Sequence, residues 1–438
     1  MTLLRASMAV CVATTITGCS VRPGASAPAP QSVPASASIA SRAYAGHPYY
    51  EGYVHVDPAS RQLQARWSIA YVRTPATMDS ATILLNPSLL IARLSGADVQ
   101  SYEERSQGGN KEIVVRFRPG IPASASVQFE LEYAGAPAFG TDSINGLSAR
   151  WIELGLDSYW HPVFADYAQL IVAHVRFELP PGWQVAASGE VTINGHSTDL
   201  RSTIPLIDVA LSASPSMSFR ANDGVRPPAR VYFSGVEPPG VDSVLATITS
   251  CGEYLNARYG RAGDSLPPIR MVIAPRGGPG YARKNYIVIT TAADMTPLAI
   301  RRFACHELAH YWSSGAIANG PENWLNEAFA EFVAGRFIRS VGGDSAHASI
   351  RKKWEQGASN AGPVWTPMGT RRPSARASYN KAPLLLDRLE QRVGTEMMER
   401  ILVRYMTKRI RTTPQLLAMI AEVAGGETAK WLEEELAK

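Results

Sequence analysis

Cys305-His306-Glu307-Leu308-Ala309-His310-Tyr311-Trp312 is followed at a short interval by Asn323-Trp324-Leu325-Asn326-Glu327-Ala328-Phe329-Ala330-Glu331. Residues four apart share a helix face, so a helical first stretch brings the His306 and His310 imidazoles one turn apart with Glu307 beside them. Both rings can then reach a single ion. A catalytic zinc takes three protein ligands and leaves one position open, so a third donor is required from elsewhere. Sixteen residues separate His310 from Glu327, and in a second helix entering at Asn323 that carboxylate shares a face with Glu331. Of two such carboxylates one can bind the ion and the other hydrogen-bond a liganding imidazole; we assign Glu327 to the metal and leave the role of Glu331 open.

The two stretches resemble those of the gluzincin metallopeptidases of the aminopeptidase N family, which carry His-Glu-Leu-Ala-His and Trp-Leu-Asn-Glu-Gly-Phe-Ala. Ala328 replaces the family's Gly and the spacer is shorter, while the ligand types are kept. The resemblance implies an α+β multidomain fold, in which an antiparallel β domain precedes a mostly helical thermolysin-like catalytic domain. It implies one Zn2+ per chain held by His306, His310 and Glu327, with Glu307 as the general base of peptide-bond hydrolysis. Tyr379-Asn380-Lys381-Ala382 resembles the family's Tyr-x-Lys-Gly, whose Tyr donates to the oxyanion, which makes Tyr379 the second catalytic residue.

The glycine-rich run that ends at Gly280 leads into Tyr281-Ala282-Arg283-Lys284-Asn285. This stretch resembles the family's Gly-x-Met-Glu-Asn, whose Glu binds the substrate's free α-ammonium. With Lys284 before Asn285, a cation replaces that carboxylate. At 4 Å and an effective dielectric of 20 it would repel an ammonium by about 4 kcal/mol. Gly280, Lys284 and Asn285 are thus expected to bind substrate with altered end-recognition, with Glu322 as another carboxylate able to take the ammonium.

Outward from this core, the 438 residues suffice for two or three domains, and 45% hydrophobic with 18% charged is a globular composition. The formal charge of +5 is mild. The densest basic run, Arg400 to Arg411, alternates with apolar residues as a helix with a solvated basic face does, which argues against a nucleic-acid partner.

Residues 1–18 have the basic start, short apolar stretch and small residues of a signal peptide. Ile16-Thr17-Gly18-Cys19 resembles a bacterial lipoprotein cleavage box, implying lipidation of Cys19 and membrane attachment. The expected location is the bacterial envelope, at the outer membrane facing the periplasm. Residues 19–45 are Ala, Pro and Ser with almost no large apolar side chain, a tether that cannot form a core. That leaves Cys251 and Cys305; an oxidising envelope permits a bridge, but Cys305 reads as a small packed hydrophobe.

Between residues 46 and 236 the hydrophobic period is two, as in Leu63, Ala65, Trp67 and Ile69 or Val127, Phe129, Leu131 and Tyr133, which predicts the antiparallel β domain. His161 and His174 stand there without a second donor at ligand spacing. Residues 237–438 form the expected catalytic domain: a helix over 241–259, two strands, the metal helices, a long loop over 355–378, and closing helices. A competing reading from another class is a zinc-binding envelope lipoprotein that serves as a binding or assembly factor without peptidase activity. The retained Glu307 and the three-donor set favour catalysis, because structural zinc sites are usually closed by four protein ligands.

Overall fold

The computed structural model describes residues 46–438 apart from 74–78, 108, 123–124, 141–143, 166–169, 224–227, 261–267, 291–295, 314, 318–319 and 409. Cys19, the signal segment and the tether lie outside the described residues.

Period-two alternation builds the N-terminal region. Gln62–Val72 pairs antiparallel with Tyr49–Asp57 on one side and Ser126–Gly135 on the other. Leu63, Ala65, Trp67 and Ile69 of one strand and Val127, Phe129, Leu131 and Tyr133 of its neighbour are all buried, because alternate side chains fall on the same face. Trp67 Nε1 donates to the Tyr133 hydroxyl at 2.8 Å, which satisfies a polar group inside this core. Gly52 is needed opposite it, since a Cβ there would come within 2.5 Å of the Trp67 ring. These strands belong to a seven-stranded sheet, accompanied by two four-stranded sheets. One pair departs from the antiparallel pattern: Tyr49–Asp57 runs parallel to Val172–Glu178.

A five-stranded sheet follows, in the order Met217–Asn222, Ala229–Ser234, Ile269–Ala274, Tyr286–Thr290, Tyr281–Arg283. Its three central strands are parallel. One face, with Val231, Met271, Ile273 and Ile287, packs into the helical core. The other, with Tyr232, Val272, Tyr286 and Val288, packs with Ala186 and Ala210 of the β region. Burial on both faces is why Ile269–Ala274 and Tyr286–Thr290 read as continuous apolar runs. Hydrogen bonding crosses the expected break at residue 236, because two strands before it belong to this sheet. The proline-rich segments near that position flank Ala229–Ser234.

Helices α1 (Val241–Tyr259), α2 (Pro297–Ser313) and α3 (Asn323–Ala358) enclose the sheet's inner face, and α4 (Ala382–Val393), α5 (Thr395–Lys408), α6 (Thr413–Ala424) and α7 (Gly426–Ala437) close the molecule. The expected long loop starts later than its composition implied, since α3 continues through Ala358. At Gly343, φ is 73° and the helix direction breaks, a conformation glycine adopts without a Cβ penalty. After the kink, Trp354 comes back against the first half of the helix at Gly335, where a Cβ would meet its ring at 2.7 Å. Among the described residues no helix is long and apolar enough to cross a membrane.

Candidate metal centre

Burial of α2 between the sheet and α3 turns His306 and Glu307 inward, and both are almost fully buried. The start of α3 at Asn323 puts Glu327 one turn in, facing them. The His306 and His310 ring centroids are 4.9 Å apart. Glu327 Oε2 lies 3.7 Å from His306 Nε2 and 3.4 Å from His310 Nε2. Ligand atoms of the three residues all fall within 4.8 Å of one another.

Glu327 Oε2 is buried and makes no hydrogen bond, whereas Oε1 accepts from Asn323 Nδ2 at 3.2 Å. A buried carboxylate oxygen without a donor, aimed between two imidazole nitrogens, is an arrangement a cation satisfies. Two nitrogens and one oxygen are a donor set that zinc accepts. Burial opposes charge on Glu327, yet the adjacent His310 and His306 hold its carboxyl well below its ordinary range.

Glu331 stands behind the ring of His306. Its Oε2 is 3.1 Å from His306 Nδ1, and its Oε1 accepts from Trp354 Nε1 at 2.7 Å and pairs with Arg302. Burial works against its ionisation, but the Arg302 charge and the His306 contact bring the Glu331 pKa down to about 2. Glu331 is therefore an anion beside the far nitrogen of the ring, where it can orient that imidazole.

Glu307 is raised in the opposite direction by burial, with neighbouring charges, including His306, His310 and Arg283, opposing the shift. Raised proton affinity suits a group that must accept a proton near neutrality. Tyr379 lies in a π-helical turn, Ala377–Lys381, that leads into α4. Its ring centroid is 5.7 Å from that of His306. Burial, followed by the Glu327 charge, raises its pKa and keeps the hydroxyl protonated as a donor.

The edge strand Tyr281–Arg283 corrects the expectation for Lys284. Arg283 pairs with Tyr286 across a two-residue turn, so Lys284 and Asn285 occupy the turn itself. Lys284 Nζ donates to the Pro205 carbonyl at 2.5 Å, and Asn285 Nδ2 to that of Pro268 at 2.9 Å. Both side chains are engaged in joining segments. Gly280 is explained by close packing, since a Cβ would lie 2.5 Å from the Phe303 ring and from the Val288 carbonyl. Arg283 is the cation whose charge reaches Glu307. Its Nε donates to Asp208 Oδ2 at 2.9 Å and its Nη2 to Asp157 Oδ2 at 2.6 Å.

Asp208 is fully buried and also faces His161 Nε2 at 3.2 Å. Burial opposes its charge, but His161 and Arg283 keep its carboxyl below the usual range. His161 is thus a structural partner, and His174 lies beside Asp199 at 3.3 Å. Glu322 is committed elsewhere: it accepts from Trp365 Nε1 at 3.0 Å and from the Thr413 amide at 2.7 Å. The expectation that Cys305 is only a packed hydrophobe is overturned. It forms a disulfide with Cys251 of α1, with Cα atoms 5.8 Å apart.

The same chain path occurs in solved structures. An M1 zinc metallopeptidase from Deinococcus radiodurans is similar with a TM-score of 0.70 at 17% identity, over 89% of this chain and 94% of that one. A mutant of that enzyme bound to a Tyr-Ser-Ala substrate gives 0.69 at 16% identity, over 90% and 95%. A two-domain M1 zinc metallopeptidase mutant bound to L-arginine gives 0.70 at 17% identity, over 90% and 94%. At this identity the likeness establishes a shared two-domain fold. No protein-family model and no curated protein matches the sequence.

Proposed function

We propose that this protein is a zinc-dependent metallopeptidase, aminopeptidase N-like in architecture, with one ion per chain held by His306, His310 and Glu327. The observation that carries the reading is the buried Glu327 Oε2, without a hydrogen bond and facing two imidazoles, with a buried Glu307 next to His306. The M1 fold likeness and the peptide and amino acids bound by those neighbours support a peptide substrate. His306, His310 and Glu327 would hold the zinc ion, which would supply Lewis-acid polarisation of the scissile carbonyl and acidify water. Glu307 accepts the water's proton and passes it to the leaving amine. Tyr379 donates to the negative oxygen that develops on the carbonyl carbon.

The end-recognition we propose is altered, with Arg283 in place of Lys284 as its basis. The carboxylates nearest the edge strand are already held by arginines: Asp157 and Asp208 by Arg283, and Glu153 by Arg276 at 2.6 Å. An α-ammonium would have to displace a guanidinium there, bidentate in the case of Arg276 on Glu153. Blocked, internal or carboxylate-bearing peptides are the preferred substrates on this reading. Lipid attachment at Cys19 and an envelope location remain part of the proposal; the Cys251–Cys305 bridge supports an oxidising compartment.

The reading is tested by removing metal with a chelator. Peptide cleavage should stop while the circular dichroism spectrum persists, and zinc should restore it. Cleavage at full rate in zinc-free protein would reject the proposal, and zinc-bound protein without cleavage would favour the assembly-factor alternative.

A further inference from the structure

Across the metal centre and the segment leading into the edge strand, the arginines differ in how fully they are occupied. Arg302 is paired with Glu331, Arg283 with two aspartates, and Arg276 with Glu153. Arg372 is different. It lies between α3 and the Tyr379 turn, its side chain is 46% exposed, and its Nη2 is 3.8 Å from Glu327 Oε1. That distance is beyond a hydrogen bond, and the oxygen already accepts from Asn323.

An ion pair this long and this exposed contributes little to stability, of order a few tenths of a kcal/mol or nothing. It does not account for a guanidinium held at the centre. Arg372 also acts electrostatically on Tyr379, so its charge lies beside both the metal-facing carboxylate and the oxyanion donor. A guanidinium presents a planar fork of donors matched to a carboxylate, and this side chain is nearly half exposed.

We infer that Arg372 is a specificity-determining residue that binds a carboxylate of the substrate, so that the enzyme acts on short peptides presenting a free carboxylate near the scissile bond. The inference rests on the peptidase reading and deepens it. It also fits the arginine-bound state of the carboxylates along the edge strand.

The test measures binding, so that it reads out with or without turnover. Zinc-loaded full-length protein is titrated by calorimetry with an N-acetylated dipeptide acid and with its C-terminal amide. Wild type should prefer the acid by on the order of tenfold or more. Arg372→Ala should bind acid and amide alike, with amide affinity and zinc content unchanged, and Arg372→Lys should keep part of the preference. Equal binding of the two ligands by wild type, or a preference that survives in Arg372→Ala, would overturn the inference. Loss of zinc from Arg372→Ala would also overturn it, by making the residue a support for Glu327. Failure of the peptidase reading appears separately, as absent cleavage of the preferred acid.

Discussion

The two sides of the candidate site are built by different physics. On the helical side, His306, His310, Glu327 and Glu331 lie on two helices, and neighbours on each are one turn apart. On the strand side, Arg283 of the edge strand and Asp208 meet the buried His161 and the exposed Asp157 in an ionic cluster drawn from three stretches of the chain. Helical spacing is a local property, so the first side can be read from residue intervals alone. The second depends on register: a one-residue shift along a strand turns a side chain to the opposite face. Here the strand ends at Arg283, whose partner is Tyr286, and Lys284, one position on, sits in the turn.

The strand-side cluster should be the more fragile of the two. Asp208→Ala would leave the Arg283 guanidinium and His161 partly unpaired in a buried setting, and should destabilise the fold by roughly 3–5 kcal/mol in a denaturant titration. A loss below about 1 kcal/mol would mean that water compensates the cluster. The pH dependence sharpens this. The folded-state pKa of Asp208 lies below its ordinary value, so its contribution is complete above the unfolded-state value, near 4. It is lost as pH falls through the folded one. Wild-type stability should therefore decline with acid from about pH 4 downward, and Asp208→Asn should flatten that part of the decline.

The helical side has a covalent brace. Cys251 and Cys305 are 54 residues apart in sequence, and a loop of that length corresponds to about 4 kcal/mol in the chain-entropy treatment. The double Cys251→Ala, Cys305→Ala variant should lose somewhat less than that, measured by thermal or chemical unfolding. Unchanged stability would show that the bridge is incidental to the fold. Tyr379→Phe acts on chemistry instead of stability: kcat should fall about a hundredfold with little change in KM. A near-normal rate would remove Tyr379 from the mechanism. The smallest effect is expected at Trp354→Phe, which deletes one donor to Glu331 and should weaken stability by about 1 kcal/mol.

Much of the fold was legible because its periods are local. Alternation marked the strands, and α1 spans Val241–Tyr259 as the helical spacing predicts. The edge strand Tyr281–Arg283 is too short for a period to show. The disulfide required two helices to be brought side by side, which no interval between cysteines specifies. Trp354 reaches Glu331 only because α3 breaks at Gly343 and folds back, and an isolated glycine in a helical pattern does not announce a reversal. Arg302 did carry a signal, being one turn before His306 on the same helix face.

The central claim is that one buried ion joins the two histidines to Glu327. Metal content measured by mass spectrometry under native conditions, on wild type and Glu327→Ala, tests it most directly. The expected result is one zinc per wild-type chain and a strong loss of zinc from the variant, with the fold intact. Undiminished zinc in Glu327→Ala would contradict the assignment.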